Sequence, residues 1–166
     1  GGPFYIFRNI IYNTGLEYTD FGQLFEVELP FKLKNDASGM FIFHNTTVRP
    51  GIAWYQGETV ANSKVFNNLI LGTTEGATFG YENDTEVDYN GFNLNNPYGP
   101  NGIRLTGQIF SPEDSILAAG ATDWTVYYEP KVLVLDPQSA AVDRGKLIPN
   151  INDDYTGAGP DLGALE

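Results

Sequence analysis

The chain contains no cysteine, one histidine and one methionine, and only 9 basic residues stand against 21 acidic ones. Without cysteine there is no disulfide framework, thiolate metal site or thiol redox chemistry, and the redox compartment stays open. A formal charge of −12 repels phosphate backbones and argues against general nucleic-acid binding. No apolar run reaches the roughly 18 residues of a membrane-spanning helix. Long amphipathic patterns are missing too, because 19 Gly, 10 Pro and many Asn punctuate the chain into short elements. The remainder is apolar enough to fold. At 42% hydrophobic over 166 residues, the chain can bury the core of one domain, read as residues 1–166. No signal peptide precedes Gly1, and strand-like FYIFRNIIY begins at residue 4, which reads as a mature or truncated start.

An internal repeat organises the first half. IFRNIIY (6–12), IFHNTTV (42–48) and VFNNLIL (65–71) superpose without gaps. The first column holds Ile6, Ile42 and Val65, and the second Phe7, Phe43 and Phe66. The third holds Arg8, His44 and Asn67, and the fourth is Asn throughout: Asn9, Asn45 and Asn68. A fainter copy, EVDYNGF (86–92), brings Asp88 or Asn90 near the Asn column. Units of roughly 20 to 25 residues with short β-rich runs predict a solenoid with one coil per repeat. With about three strands per coil the expected fold is all-β, a right-handed parallel β-helix of three to four coils over residues 4–92. Stacked Asn side chains can pass amide hydrogen bonds up the column, and Asn tolerates the left-handed backbone that a bend needs. Apolar residues on both faces of IIY and LIL are consistent with parallel strands. His44 shares its column with Arg and Asn, so it is expected to face outward, and its replacement to cost little.

The second half departs from the repeat. SPEDSILAAG (111–120) predicts a short helix near 112–119, with Ser111 as N-cap and Gly120 as stop. KVLVLDP (131–137) predicts a strand, and the remainder ends in loops and turns, giving a C-terminal cap region over 93–166. The ending, with Asp143, Gly145, Asp154, Gly157, Pro160, Asp161, Gly163, Ala164 and Glu166, resembles the closure of bacterial right-handed parallel β-helix repeat proteins of the pectate-lyase-like superfamily. PFKLKND, FHNTTV and NNLILG are similar to coils of such proteins. The resemblance implies a secreted or cell-surface protein that binds or processes polysaccharide, with several more coils usually ahead of the part matched. It also covers adhesins and structural proteins, so a filament subunit stacking head-to-tail on copies of itself is the alternative. The glycosidase branch of that superfamily carries Gly-His-Gly and Arg-Ile-Lys motifs that this chain lacks, so a lyase is the better enzymatic expectation.

A lyase needs a base beside the uronate carboxylate and cations to hold the developing charge. Lys32 and Lys34 alternate onto one face of FKLK, Arg49 follows, and Trp54 and Tyr55 lie one coil later. Lys32, Lys34 and Arg49 are therefore the catalytic candidates, and with Trp54 and Tyr55 they form a carbohydrate-binding strip. The bland reading is a row of solvated lysines that blunts a sheet edge. Asp84, Glu86 and Asp88 alternate, and Asp153 and Asp154 crowd the terminal loop. Such hard oxygen ligands suit Ca²⁺, but the spacing of a dedicated calcium loop is missing and a solvated acidic surface is the stronger reading. No cofactor is otherwise required.

Overall fold

The computed structural model describes residues 3–12, 17–18, 24–25, 32–33, 37–49, 52–56, 60–72, 75–79, 84–94, 97–111 and 133–165. Within them the strands follow in the order β1 (Phe4–Phe7), β2 (Ile10–Tyr12), β3 (Glu17–Tyr18), β4 (Leu24–Phe25), β5 (Lys32–Leu33), β6 (Met40–Phe43) and β7 (Thr46–Arg49). They continue as β8 (Ile52–Gln56), β9 (Lys64–Phe66), β10 (Leu69–Gly72), β11 (Glu75–Phe79), β12 (Glu86–Asp88), β13 (Gly91–Phe92) and β14 (Ile103–Arg104). The described residues are all-β, with no helix. The predicted helix at 112–119 lies outside them.

Three parallel sheets carry the architecture. The first has the order β1-β6-β9-β12, the second β14-β13-β10-β7-β2 and the third β11-β8-β5. Among the described strands, only β3 and β4 pair antiparallel. The chain visits the sheets cyclically, from β6 to β7 to β8 and then β9 to β10 to β11, so each pass lays a strand beside its predecessor. Register follows the repeat: Ile6 pairs with Ile42, Ile42 with Val65, and Val65 with Val87. The fourth copy therefore starts at Val87, which puts Asn90 in the Asn column and Asp88 in the Phe column.

The bends between the first two sheets are built from two adjacent columns. Asn9, Asn45, Asn68 and Asn90 form one. Asn45 Nδ2 donates to Asn68 Oδ1 at 2.9 Å and also to the carbonyls of Ile6 and Phe43, at 3.0 Å each. The left-handed backbone falls one residue earlier than the sequence suggests: φ is 53° at Arg8, 51° at His44, 60° at Asn67 and 52° at Tyr89. The Asn residues are free to hold the ladder because their neighbours make the bend. A second left-handed column, at Gly39, Asn62 and Asp84, turns the chain into the first sheet. Asn and Gly take that conformation at low cost.

Ile42, Val65 and Val87 pack across the interior against Ile70 and Phe92. The second sheet is buried on its other face as well. Val48, Leu69 and Leu71 meet Leu105, Phe110, Leu133 and Leu162 there. The C-terminal region thus lies along the side of this sheet, while residues 97–102 cover the end of the stack. Of KVLVLDP, residues 133–137 are described, and they form one antiparallel bridge, Phe110 to Leu135, alongside residues 109–111.

Candidate functional site

His44 overturns its expected outward position. It is 2% exposed, and both ring nitrogens are engaged. Nδ1 lies 3.2 Å from the Gly163 carbonyl, and Nε2 lies 2.8 Å from Asn67 Nδ2 and 2.6 Å from Asn152 Nδ2. The two amides have no freedom to flip. Asn67 accepts from Lys146 N and donates to Lys146 O, while Asn152 accepts from Ile148 N and donates to Lys146 O. Nε2 must therefore accept, Nδ1 must donate, and the imidazole is neutral. Burial pushes the His44 pKa down to about 4, with the Arg8 charge adding to the effect and the Gly163 bond and Asp154 opposing it. The ring clasps the 146–152 loop and the 162–164 segment to the bend, so it has no free nitrogen for proton transfer.

That clasp creates a groove. Between the outer face of the first sheet and residues 146–151 lies a space of about 400 Å³, walled by Tyr5, Phe41, Phe43, Phe66 and Ile151. Tyr5 stacks on Phe41 at 5.1 Å between centroids, and Phe43 on Phe66 at 5.8 Å. Lys146 Nζ sits 4.4 Å from the Phe66 centroid and 5.6 Å from that of Tyr89. Glu86 bridges the cations, 3.1 Å from Lys64 Nζ and 3.7 Å from Lys146 Nζ. The result is an aromatic wall with one surplus positive charge on an acidic protein, an arrangement able to hold an apolar face and a nearby anion or hydroxyl.

The residues expected to act lie elsewhere. Lys32 pairs with Tyr55 in the third sheet, beside Trp54 on the same strand β8. Arg49 ends β7 in the second sheet. Lys34 lies outside the described residues, as do the side chains of the other four. Among the acidic candidates, Asp88 is buried and accepts from its own bend at Tyr89 N and from both Asn101 N and Asn101 Nδ2. Glu86 is held by lysines, Asp153 accepts from Asn150 N, and Asp154 pairs with Arg8 at 2.7 Å. The Arg8 bond keeps the Asp154 carboxyl below its ordinary range. Asp84 is exposed at a bend. Among the described residues no three carboxylate or imidazole groups converge on one point.

Sequence reasoning missed this groove altogether: Tyr5, Phe41, Phe43, Phe66, Lys64 and Lys146 are not among its binding or catalytic candidates, although Phe43 and Phe66 stood out as a repeat column. The available signal was LIP (147–149), an apolar run inside a turn-rich segment. Compared with known proteins, the chain matches no family model, no curated protein and no solved structure. The site therefore rests on its own geometry.

Proposed function

We propose that the chain is a right-handed parallel β-helix of the pectate-lyase-like kind, secreted or displayed at a cell surface, that binds polysaccharide along the outer face of its first sheet. The observation that carries this reading is the aromatic groove of Tyr5, Phe41, Phe43 and Phe66 with Lys64 and Lys146 at its side. The cyclic passage through three parallel sheets and the stacked Asn bends support the solenoid. Sugar rings present apolar C–H faces that stack on aromatic groups, and a surplus cation favours a uronate over a neutral unit. Binding is better supported than catalysis: His44 is locked, and Glu86 is tied to two lysines. If a lyase step occurs, its candidates remain Lys32, Lys34 and Arg49, with Ca²⁺ as the metal to supply.

Affinity electrophoresis through gels containing pectate, alginate or a neutral glucan tests the proposal. Retardation by the acidic polymers, reduced several-fold by Tyr5→Ala and Phe41→Ala, is the expected result. Equal mobility in every gel would defeat it. Following ultraviolet absorbance of an unsaturated product in the same mixtures, with and without Ca²⁺, separates a binder from a lyase.

A further inference from the structure

Three pieces of chain meet at the His44 ring, and they are held unequally. Asn67 sits in the bend of the next pass, where its main-chain N–H donates to Tyr89 O at 3.0 Å. The 162–164 segment is tied by Leu162 N to Ala141 O, Gly163 N to Asn67 O and Ala164 N to Thr46 Oγ1. The 146–152 loop belongs to no strand. It reaches the bends through Lys146 on the Asn67 amide and Asn152 on His44. Leu147 is 50% exposed, and Pro149 and Asn150 are exposed as well. Of the three pieces, the loop is the one that can leave. It is also one wall of the aromatic groove, through Ile148, Pro149 and Ile151.

The ring fits this arrangement only while neutral. A second proton would go onto Nε2, where Asn67 Nδ2 and Asn152 Nδ2 already donate from 2.8 and 2.6 Å. Three donors would then face one another with no acceptor among them. Rotating either amide moves the conflict without removing it, because the turned Nδ2 would meet Lys146 N or Ile148 N. Among the described residues, the charged groups facing the ring are Arg8 from the first bend and Asp154 from just past the loop. They pair with each other at 2.7 Å, which leaves neither free to hold an imidazolium in place. The Asn67 bend and the 162–164 segment bring no charge, and Lys146 directs its amine at Phe66.

We propose that His44 is a proton-operated latch on the groove: proton uptake at Nε2 expels the Asn152 amide and lets residues 146–152 lift from the outer face of the first sheet while the sheets stay paired. Acid therefore takes away one wall of the groove together with Lys146, and leaves Phe41, Phe43 and Phe66 on an open surface. The consequence for polysaccharide rests on the reading of this groove as its site. The latch itself rests on the ring and its partners.

Native-state hydrogen exchange of the protein without ligand, expressed as protection factors, tests the latch. The loop probes are the Lys146 and Ile148 amides, which donate to Asn67 Oδ1 and Asn152 Oδ1. The sheet probes are Leu69 and Gly91, which donate to the Asn45 and Asn68 carbonyls. Between pH 7 and 4.5 the loop amides should lose protection roughly 50-fold, with one proton taken up per opening. At both pH values they should exchange faster than Leu69 and Gly91. His44→Gln keeps one acceptor and an N–H donor without titrating, and should lose most of this acid response. Unchanged loop protection in the parent, an equal response in both proteins, or loop amides no faster than Leu69 and Gly91 would overturn the proposal. Should His44→Gln fail to fold, the parent decides alone. Its loop protection must fall about sevenfold per pH unit between 6 and 4.5, and a flat or much steeper course would refute the latch. Failure of pectate to bind at pH 7 would count against the groove as a polysaccharide site and not against the latch, which these amides read with no ligand present.

Discussion

Asn45 is fully buried, and its amide serves five partners: the main-chain N–H and Nδ2 of Asn9, the carbonyls of Ile6 and Phe43, and Asn68 Oδ1. Asn45→Ala leaves several of these without partners and should cost about 2–4 kcal/mol in urea unfolding. His44→Ala should cost about 2–3 kcal/mol, since it orphans two locked amides and the Gly163 carbonyl. A negligible effect would mean that the clasp does not hold. His44 also sets a pH response. Its unfolded pKa of 6.5 falls to about 4 in the fold, so between these values the unfolded chain takes up a proton that the folded chain refuses. Stability is therefore full above about pH 7, declines as pH falls through 6.5 toward 4, and loses about 3 kcal/mol by the lower limit. The charged groups facing the ring are Arg8 and Asp154. The Arg8 bond holds the Asp154 carboxyl below its ordinary range, so its own contribution is lost toward the acid end of the range, below most of the His44 window. Unfolding midpoints measured from pH 7.5 to 4 should show this decline in the parent protein and lose most of it in His44→Ala.

Among the elements, the second sheet bears the most. Its central strands β7, β10 and β13 are buried on both faces, the inner one by the first sheet and the outer one by the C-terminal region. Gly163 lies where this covering approaches most closely. Its φ is +99°, and an added Cβ would stand 2.6 Å from Thr46 Oγ1 and 2.7 Å from Leu69 Cδ1. Thr46 Oγ1 accepts from Ala164 N at 3.0 Å, and Leu162 N donates to Ala141 O at 3.0 Å. Gly163→Ala should cost about 2–4 kcal/mol from strain and overpacking. Its signature is local: the Leu162 and Ala164 amides should exchange faster while those of β9 keep their protection. Loss of protection throughout the sheets would show that the C-terminal region and the strands form one cooperative unit.

At the scale of the molecule, β1 and β2 are edge strands of the described sheets, whereas β9 and β10 have a paired strand on each side. Contacts run between adjacent passes of the chain, so stability should propagate from neighbour to neighbour. Native-state hydrogen exchange should then release β1 and β2 first, from the exposed end, and β9 and β10 last, between paired strands on both sides. A single exchange free energy shared by all these strands would contradict that gradient. The formal charge of −12 lies on the same molecule as a groove with two lysines and one glutamate. Any anionic ligand must overcome general repulsion to reach it, so its affinity should depend on salt.

How much of this could be read beforehand follows from which contacts repeat. In parallel strands the same position of successive units stacks directly, so Ile6, Ile42 and Val65, or Asn9, Asn45 and Asn68, announce their neighbours by recurring. The sequence by itself thus determined the columns, their register and the amide ladder. It left the fourth rung open between Asp88 and Asn90, because that copy has Asp88 in place of the recurring Phe and Tyr89 in place of the polar residue before the Asn. It misplaced the left-handed residue by one and turned His44 outward, because a column of Arg, His and Asn looks like any solvated edge. Only the tertiary structure decided that His44 is buried and that an aromatic groove stands beside it. Both depend on residues 146–152 and 162–164, roughly a hundred positions away in the chain, which repeat nothing and return to the bend through contacts made once.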